Sequence, residues 1–125
     1  MFSRTAKRRM LAVAAVLAAV FVVAADIVQV ELTLTPPDQS FALTDAEVGE
    51  LLPLLQKVVL YQGDNSYTDY AGQAVVFDVT LQDGSTTQVV ACNLFVIIDG
   101  VGYRTKYEPC EALNAFANRL LSERN

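Results

Sequence analysis

The chain has 125 residues, 14 of them acidic and nine basic, for a formal charge of −5, and it contains neither histidine nor tryptophan. Without histidine, Ser-His-Asp and Cys-His nucleophile systems and the usual zinc sites are excluded. An acid surplus is repelled by phosphate backbones, so no nucleic-acid partner is expected.

The charge is unevenly spread. Residues 1–9, MFSRTAKRR, carry Arg4, Lys7, Arg8 and Arg9 and no acid, and the next 16 residues, MLAVAAVLAAVFVVAA, carry no charge at all. A basic segment, an apolar run and a small-residue exit form the layout of an export signal. Val23 and Ala25 fit the −3 and −1 positions of a cleavage site, which would make Asp26 the first residue of the processed chain. The alternative is an uncleaved signal anchor. The apolar run is just short of the ~17–25 residues that span a bilayer, and lengthening it through Val28 would bury Asp26 near hydrocarbon. Either way the basic flank stays inside and the remainder lies outside the cytoplasm. The expected organisation is therefore a signal peptide or signal anchor over 1–25 and one extracytoplasmic α+β domain over 26–125. Membrane association would run through residues 10–25, because no cysteine directly follows the apolar run to take a lipid. All 14 acids lie at or after Asp26, against the five bases Lys57, Arg104, Lys106, Arg119 and Arg124, so that part carries −9.

Residues 26–35, DIVQVELTLT, alternate apolar and polar, which predicts a half-buried strand. TPPDQS then reads as a loop, since two prolines cannot continue a central strand. Thr44 and Glu47 form a T-x-x-E capping box. Val48, Leu51, Leu52 and Leu55 recur behind it at helical spacing, predicting a helix over 45–57 that bends at Pro53. A short strand over 58–62 leads into a loop over 63–72. Strands follow over 73–82 and 86–92, joined at Asp83-Gly84 by a turn needing positive φ. Asn93-Leu94 turns again, and FVIID meets VGYRTK across Asp99-Gly100. Pro109 suits the first turn of a closing helix whose Leu113, Phe116, Ala117, Leu120 and Leu121 share one face. The predicted order is β-α-β-β-β-β-β-α: an α+β fold, a mainly antiparallel meander sheet with both helices on one face.

Three sets of residues carry candidate chemistry. Asp64, Asp69 and Asp78 could supply paired carboxylates for a small hydrolase if they converged across a cleft. Asp64, Asn65 and Asp69 offer hard oxygen ligands for calcium, but without EF-hand spacing, and the plainer reading is a polar turn. The stretch YQGDNSYTDYAG sets Tyr61, Tyr67 and Tyr70 among Gly, Ser, Asn and Asp, the mixture that antibody-type binding loops use. Tyr103, Arg104 and Tyr107 could extend that surface. Alternatively, these tyrosines fold back and cover the edge of the sheet. No cofactor is expected.

Cys92 and Cys110 are the two cysteines, with 17 residues between them. Outside the cytoplasm such a pair reads first as a disulfide, stabilising the fold by ~3 kcal/mol in the chain-entropy model. Two alternatives stand beside it. Buried, both would be small hydrophobes; at a helix N-terminus, Cys110 could serve as a reactive thiolate.

The capped helix LTDAEVGELLPLLQ, the hairpin VVFDVTLQDGSTTQVV, the stretch FVIIDGVGYRTKYEPCEALN and the closing helix together resemble small exported domains of Gram-positive gut bacteria. The resemblance spans roughly residues 30 to 122. Those domains are often lipoproteins of undefined function, so the resemblance implies a fold and an address and carries over no catalytic residue. The missing lipid-attachment cysteine departs from the lipoprotein version. The expected function is a non-enzymatic extracytoplasmic binding or accessory domain of the cell envelope, with an unknown protein or cell-envelope ligand. A structural membrane-proximal domain of an envelope complex is the alternative. Protein recovered from an exporting host is expected to begin at Asp26 by intact mass; a mass that retains Met1 to Ala25 would establish the anchor instead.

Overall fold

The computed structural model describes residues 27–69, 72–92 and 94–124. The expected signal or anchor segment lies outside the described residues. Among the described residues no helix is long and apolar enough to cross a membrane.

The elements in chain order are β1 (Ile27–Thr35), β2 (Gln39–Ala42), α1 (Asp45–Gln56), β3 (Leu60–Gly63), a 3-10 turn (Ser66–Asp69), β4 (Ala74–Leu81), β5 (Thr86–Cys92), β6 (Phe95–Ile98), β7 (Val101–Thr105) and α2 (Tyr107–Glu123). The seven strands form one sheet in the order β2-β1-β4-β5-β6-β7-β3, and every pairing is antiparallel. The α+β class, with its antiparallel sheet and two helices, is as the sequence predicts.

Two details depart from the prediction. The loop expected over TPPDQS is only the turn Pro36–Asp38, and an additional strand, β2, begins at Gln39 opposite Leu34. The turn is tight because Asp38 adopts φ 64° and its N–H donates to the Leu34 carbonyl at 2.8 Å. The prolines precede the strand and so remove no ladder bond. The second departure concerns the meander, which holds only from β4 to β7. β3 does not neighbour β4; it pairs with β7 at the far edge. The flank of β4 is taken by β1, whose inward Val30, Leu32 and Leu34 lie opposite Val79, Phe77 and Val75. All six are buried. The four-residue β3, with Leu60 alone buried, has far less apolar surface to offer there.

The core lies between one face of the sheet and both helices. Leu51 and Leu55 of α1 join Leu113, Phe116, Ala117 and Leu120 of α2 in one cluster with the inward residues of β1, β4, β5 and β6. The rings of Phe77 and Phe116 meet at 6.5 Å. α1 passes through Pro53 and ends at Gln56. Asp99 (φ 48°) and Gly100 (φ 86°) make the left-handed turn that their sequence demands.

The capping box is complete. The Glu47 N–H donates to Thr44 Oγ1 at 3.2 Å, and the Thr44 N–H donates to Glu47 Oε1 at 2.9 Å. The structure adds a third member. Arg124, just past α2, donates to both Glu47 oxygens at 2.7 and 3.0 Å and stacks its guanidinium 4.1 Å from the Phe41 ring centre. One side chain thus ties the end of α2 to the start of α1 and to β2. The Arg124 bonds, helped by the Thr44 amide and only partly offset by desolvation, hold the Glu47 carboxyl down to about 2. A carboxyl lowered on folding stabilises the fold above its unfolded value and loses that contribution as pH falls towards the folded one. Stability is therefore expected to decline between about pH 4.5 and pH 2 on account of Glu47. Arg124→Ala should cost about 1–2 kcal/mol at pH 7 and flatten this acid limb. Urea denaturation across pH measures both, and an unaltered acid limb in the variant would remove the assignment.

Candidate functional site

Strand alternation sends every second side chain to the face away from the helices. The pairings Phe95↔Arg104 and Ile97↔Gly102 place those positions on that open face, where Cys92 lies opposite Phe95. The segment leaving β3 folds over this part of the sheet. The Asp64 N–H donates to the Gly102 carbonyl at 2.9 Å, and the Gly102 N–H donates to Asn65 Oδ1 at 3.0 Å. The asparagine side chain thus takes the place of a strand carbonyl and extends the ladder beyond Gly63.

Gly102 permits this approach. A Cβ there would stand 2.5 Å from the Asp64 carbonyl oxygen and 2.6 Å from Cδ1 of Tyr67. The Tyr67 ring meets Phe95 edge-on at 6.4 Å, and its hydroxyl donates to the Gly100 carbonyl at 3.4 Å. Asp64 then turns back on itself. Its Oδ1 accepts from the Ser66 N–H at 2.9 Å and its Oδ2 from Arg104 Nε at 2.8 Å. The Ser66 bonds and the Arg104 guanidinium hold its carboxyl at about 2. Arg104 lies 5.4 Å from the Phe95 ring centre, fixed between an acid and an aromatic face while about half of its side chain stays exposed.

Beside Arg104 the register of β3 shifts: Leu60 pairs with Thr105 and Gly63 with Tyr103. Two residues, Tyr61 and Gln62, therefore oppose the single Arg104, a bulge at the edge of the sheet. Tyr61 is 53 % exposed and Leu94 is 40 % exposed. The result is an exposed patch of Tyr61, Arg104 and Leu94 around the half-buried Phe95, braced by Tyr67 and Asp64. An open cleft of about 300 Å³ lined by Gly63, Asp64, Asn65, Val101, Gly102 and Tyr103 adjoins it.

The predicted recognition residues divide accordingly. Tyr61 and Tyr67 come together around Arg104, Tyr67 as a cover for the sheet and Tyr61 as exposed surface. Tyr103 points to the helix side and packs against the core. Tyr107 is exposed in the first turn of α2. Tyr70 lies outside the described residues. Phe95 and Gly102 escape sequence reasoning, although an isolated glycine inside the strand VGYRT signals a close backbone approach.

Two of the candidate carboxylates, Asp64 and Asp78, lie apart in the fold. Asp64 and Asn65 spend their side-chain oxygens on Arg104, Ser66 and Gly102, which leaves little for calcium. Among the described residues no group of three or more acids or cysteines could hold a metal. Asp78 accepts from Gln88 at 2.9 Å on β4, three strands from β7. That separation is roughly 14 Å, so Asp78 and Asp64 face no common cleft. The side chain of Asp69 lies outside the described residues.

The expected disulfide is not formed in this structure: both cysteines are buried free thiols. Cys92 belongs to the open face, whereas Cys110 is packed in the core beneath α2, its Sγ donating weakly to the Phe95 carbonyl at 3.7 Å. Burial, with the nearby Cys110 thiol, pushes Cys92 up to about 11, and burial also raises Cys110. At α2 burial disfavours the thiolate, opposing the pull of the helix dipole.

No protein-family model, curated protein sequence or solved structure matches the chain. Gly102→Ala should force Tyr67 and Asp64 off the sheet and cost about 1–3 kcal/mol. Chemical denaturation reads the loss, and Tyr67 fluorescence or side-chain NMR reads the displacement. Unchanged stability with an undisplaced Tyr67 would contradict the assigned contact.

Proposed function

We propose that the domain is a non-enzymatic extracytoplasmic binding or accessory module of the cell envelope, and that its recognition surface is the patch around Tyr61, Arg104 and Phe95. One observation carries this reading. Arg104 is half exposed yet held in place by Asp64 and the Phe95 ring, directly beside the exposed Tyr61. Tyrosine and arginine dominate binding hot spots, and a side chain already fixed before binding loses less entropy on contact. The address rests on the basic and apolar N-terminal layout, and the resemblance to exported domains agrees with it.

A structural membrane-proximal role is the second reading. It is favoured by an open cleft of about 370 Å³ between the start of β1 and α1, lined in part by Ile27, Val28, Val48 and Leu52 at the point where residue 26 joins the fold. The two readings place the contact in opposite halves of the sheet.

The test is capture of cell-envelope components by chemical cross-linking to the exported protein. Tyr61→Ala with Arg104→Ala is expected to reduce capture at least tenfold, the scale of a hot-spot loss. Val28→Ser with Leu52→Ser should leave capture unchanged. The reverse pattern would move the function to the cleft at β1.

A further inference from the structure

We infer that the outer edge of β3 receives an extended acidic peptide as an added strand; this rests on the recognition surface proposed above and names its partner. β3 is a terminal strand of the sheet, paired with β7 alone. The unpaired backbone groups of such an edge are a template for another strand. The other terminal strand, β2, is partly occupied, because Arg124 reaches the Ala42 carbonyl at 3.5 Å.

Charge then selects the partner. Of the five bases in residues 26–125, Arg119 is paired with Glu50 and Glu123, and Arg124 with Glu47. Arg104 holds Asp64. Lys57 and Lys106 are exposed and take part in no ion pair among the described residues. Both flank β3. Lys57 caps the end of α1 and leads into the strand, and the Lys106 N–H donates to the Val59 carbonyl at 3.1 Å. A segment with a charge of −9 thus gathers the positive charge that is unpaired among the described residues at the N-terminal end of one edge strand. Val59 and Tyr61, 41 % and 53 % exposed, stand between the lysines and Arg104. Basic and apolar side chains interleaved beside free backbone groups fit a strand that alternates acidic and apolar residues. The competing explanation is that the lysines only guard the edge against unwanted pairing.

The test uses the exported protein and a fluorescein-labelled peptide of four Glu-Val repeats, followed by anisotropy. Saturable binding that weakens with salt is expected. N-methylation of alternate peptide amides, which removes strand hydrogen bonds but keeps the charge, should weaken binding at least about tenfold, as should Lys57→Glu with Lys106→Glu in a protein of unchanged unfolding midpoint. Amide exchange at residues 60–63 should slow in the complex. No binding, equal binding of the N-methylated peptide, or equal binding of a Lys-Val peptide would overturn the inference. Self-association through β3, or displacement of the peptide by vesicles of anionic lipid, would overturn it in favour of a second copy or a membrane. If the acidic peptide fails while envelope capture still depends on Tyr61 and Arg104, this inference falls and the recognition surface stands. If the peptide binds and capture ignores both residues, the recognition surface falls.

Discussion

The open face of the sheet is organised by a missing side chain. With hydrogen at Gly102 in place of a Cβ, the Asp64 carbonyl and the Tyr67 ring both come to rest against β7. That contact fixes the direction of the chain after β3. It brings Asp64 to Arg104 and Tyr67 to Phe95, and it allows Asn65 to continue the ladder through its side chain. The position of the guanidinium is therefore a consequence of packing, set before any ligand arrives.

The remainder of the fold explains why such a surface sits at an edge. Both helices cover the same side of the sheet, and the long strands β1 and β4 pair in the half away from β3 with their apolar residues in register. That leaves the short strand β3 to close one border, with a bulge where Tyr61 and Gln62 oppose Arg104. The core needs only Leu60 from that strand. Tyr61 is thereby free of packing demands and presents its ring as exposed surface.

Features whose partners lie within a turn of chain were legible in the sequence. Thr44 and Glu47 meet three residues apart, Asp99-Gly100 needs only its own dihedral preference, and the closing helix displays its own periodicity. The tyrosine loop stood out by its composition alone. What stayed hidden depends on sheet order. Nothing in LYQG states that it pairs with β7 rather than β4, because one buried leucine cannot specify a neighbour. FVII is apolar on both faces, so the outward aim of Phe95 had no polar contrast to reveal it. Tyr103 and Arg104 are adjacent in sequence yet lie on opposite faces, a distinction only the register supplies.

The strand order also sets a distance. β1, where the described chain begins at Ile27, and β3 are separated by β4, β5, β6 and β7, five inter-strand steps in all. At the usual spacing these amount to roughly 24 Å, beyond the ~8–10 Å over which physiological salt lets exposed charges feel one another. A charged surface held near residue 26 would thus be electrically silent at the β3 edge. The sheet acts as an insulating spacer, so charges at the β3 edge and at the start of β1 act independently of one another.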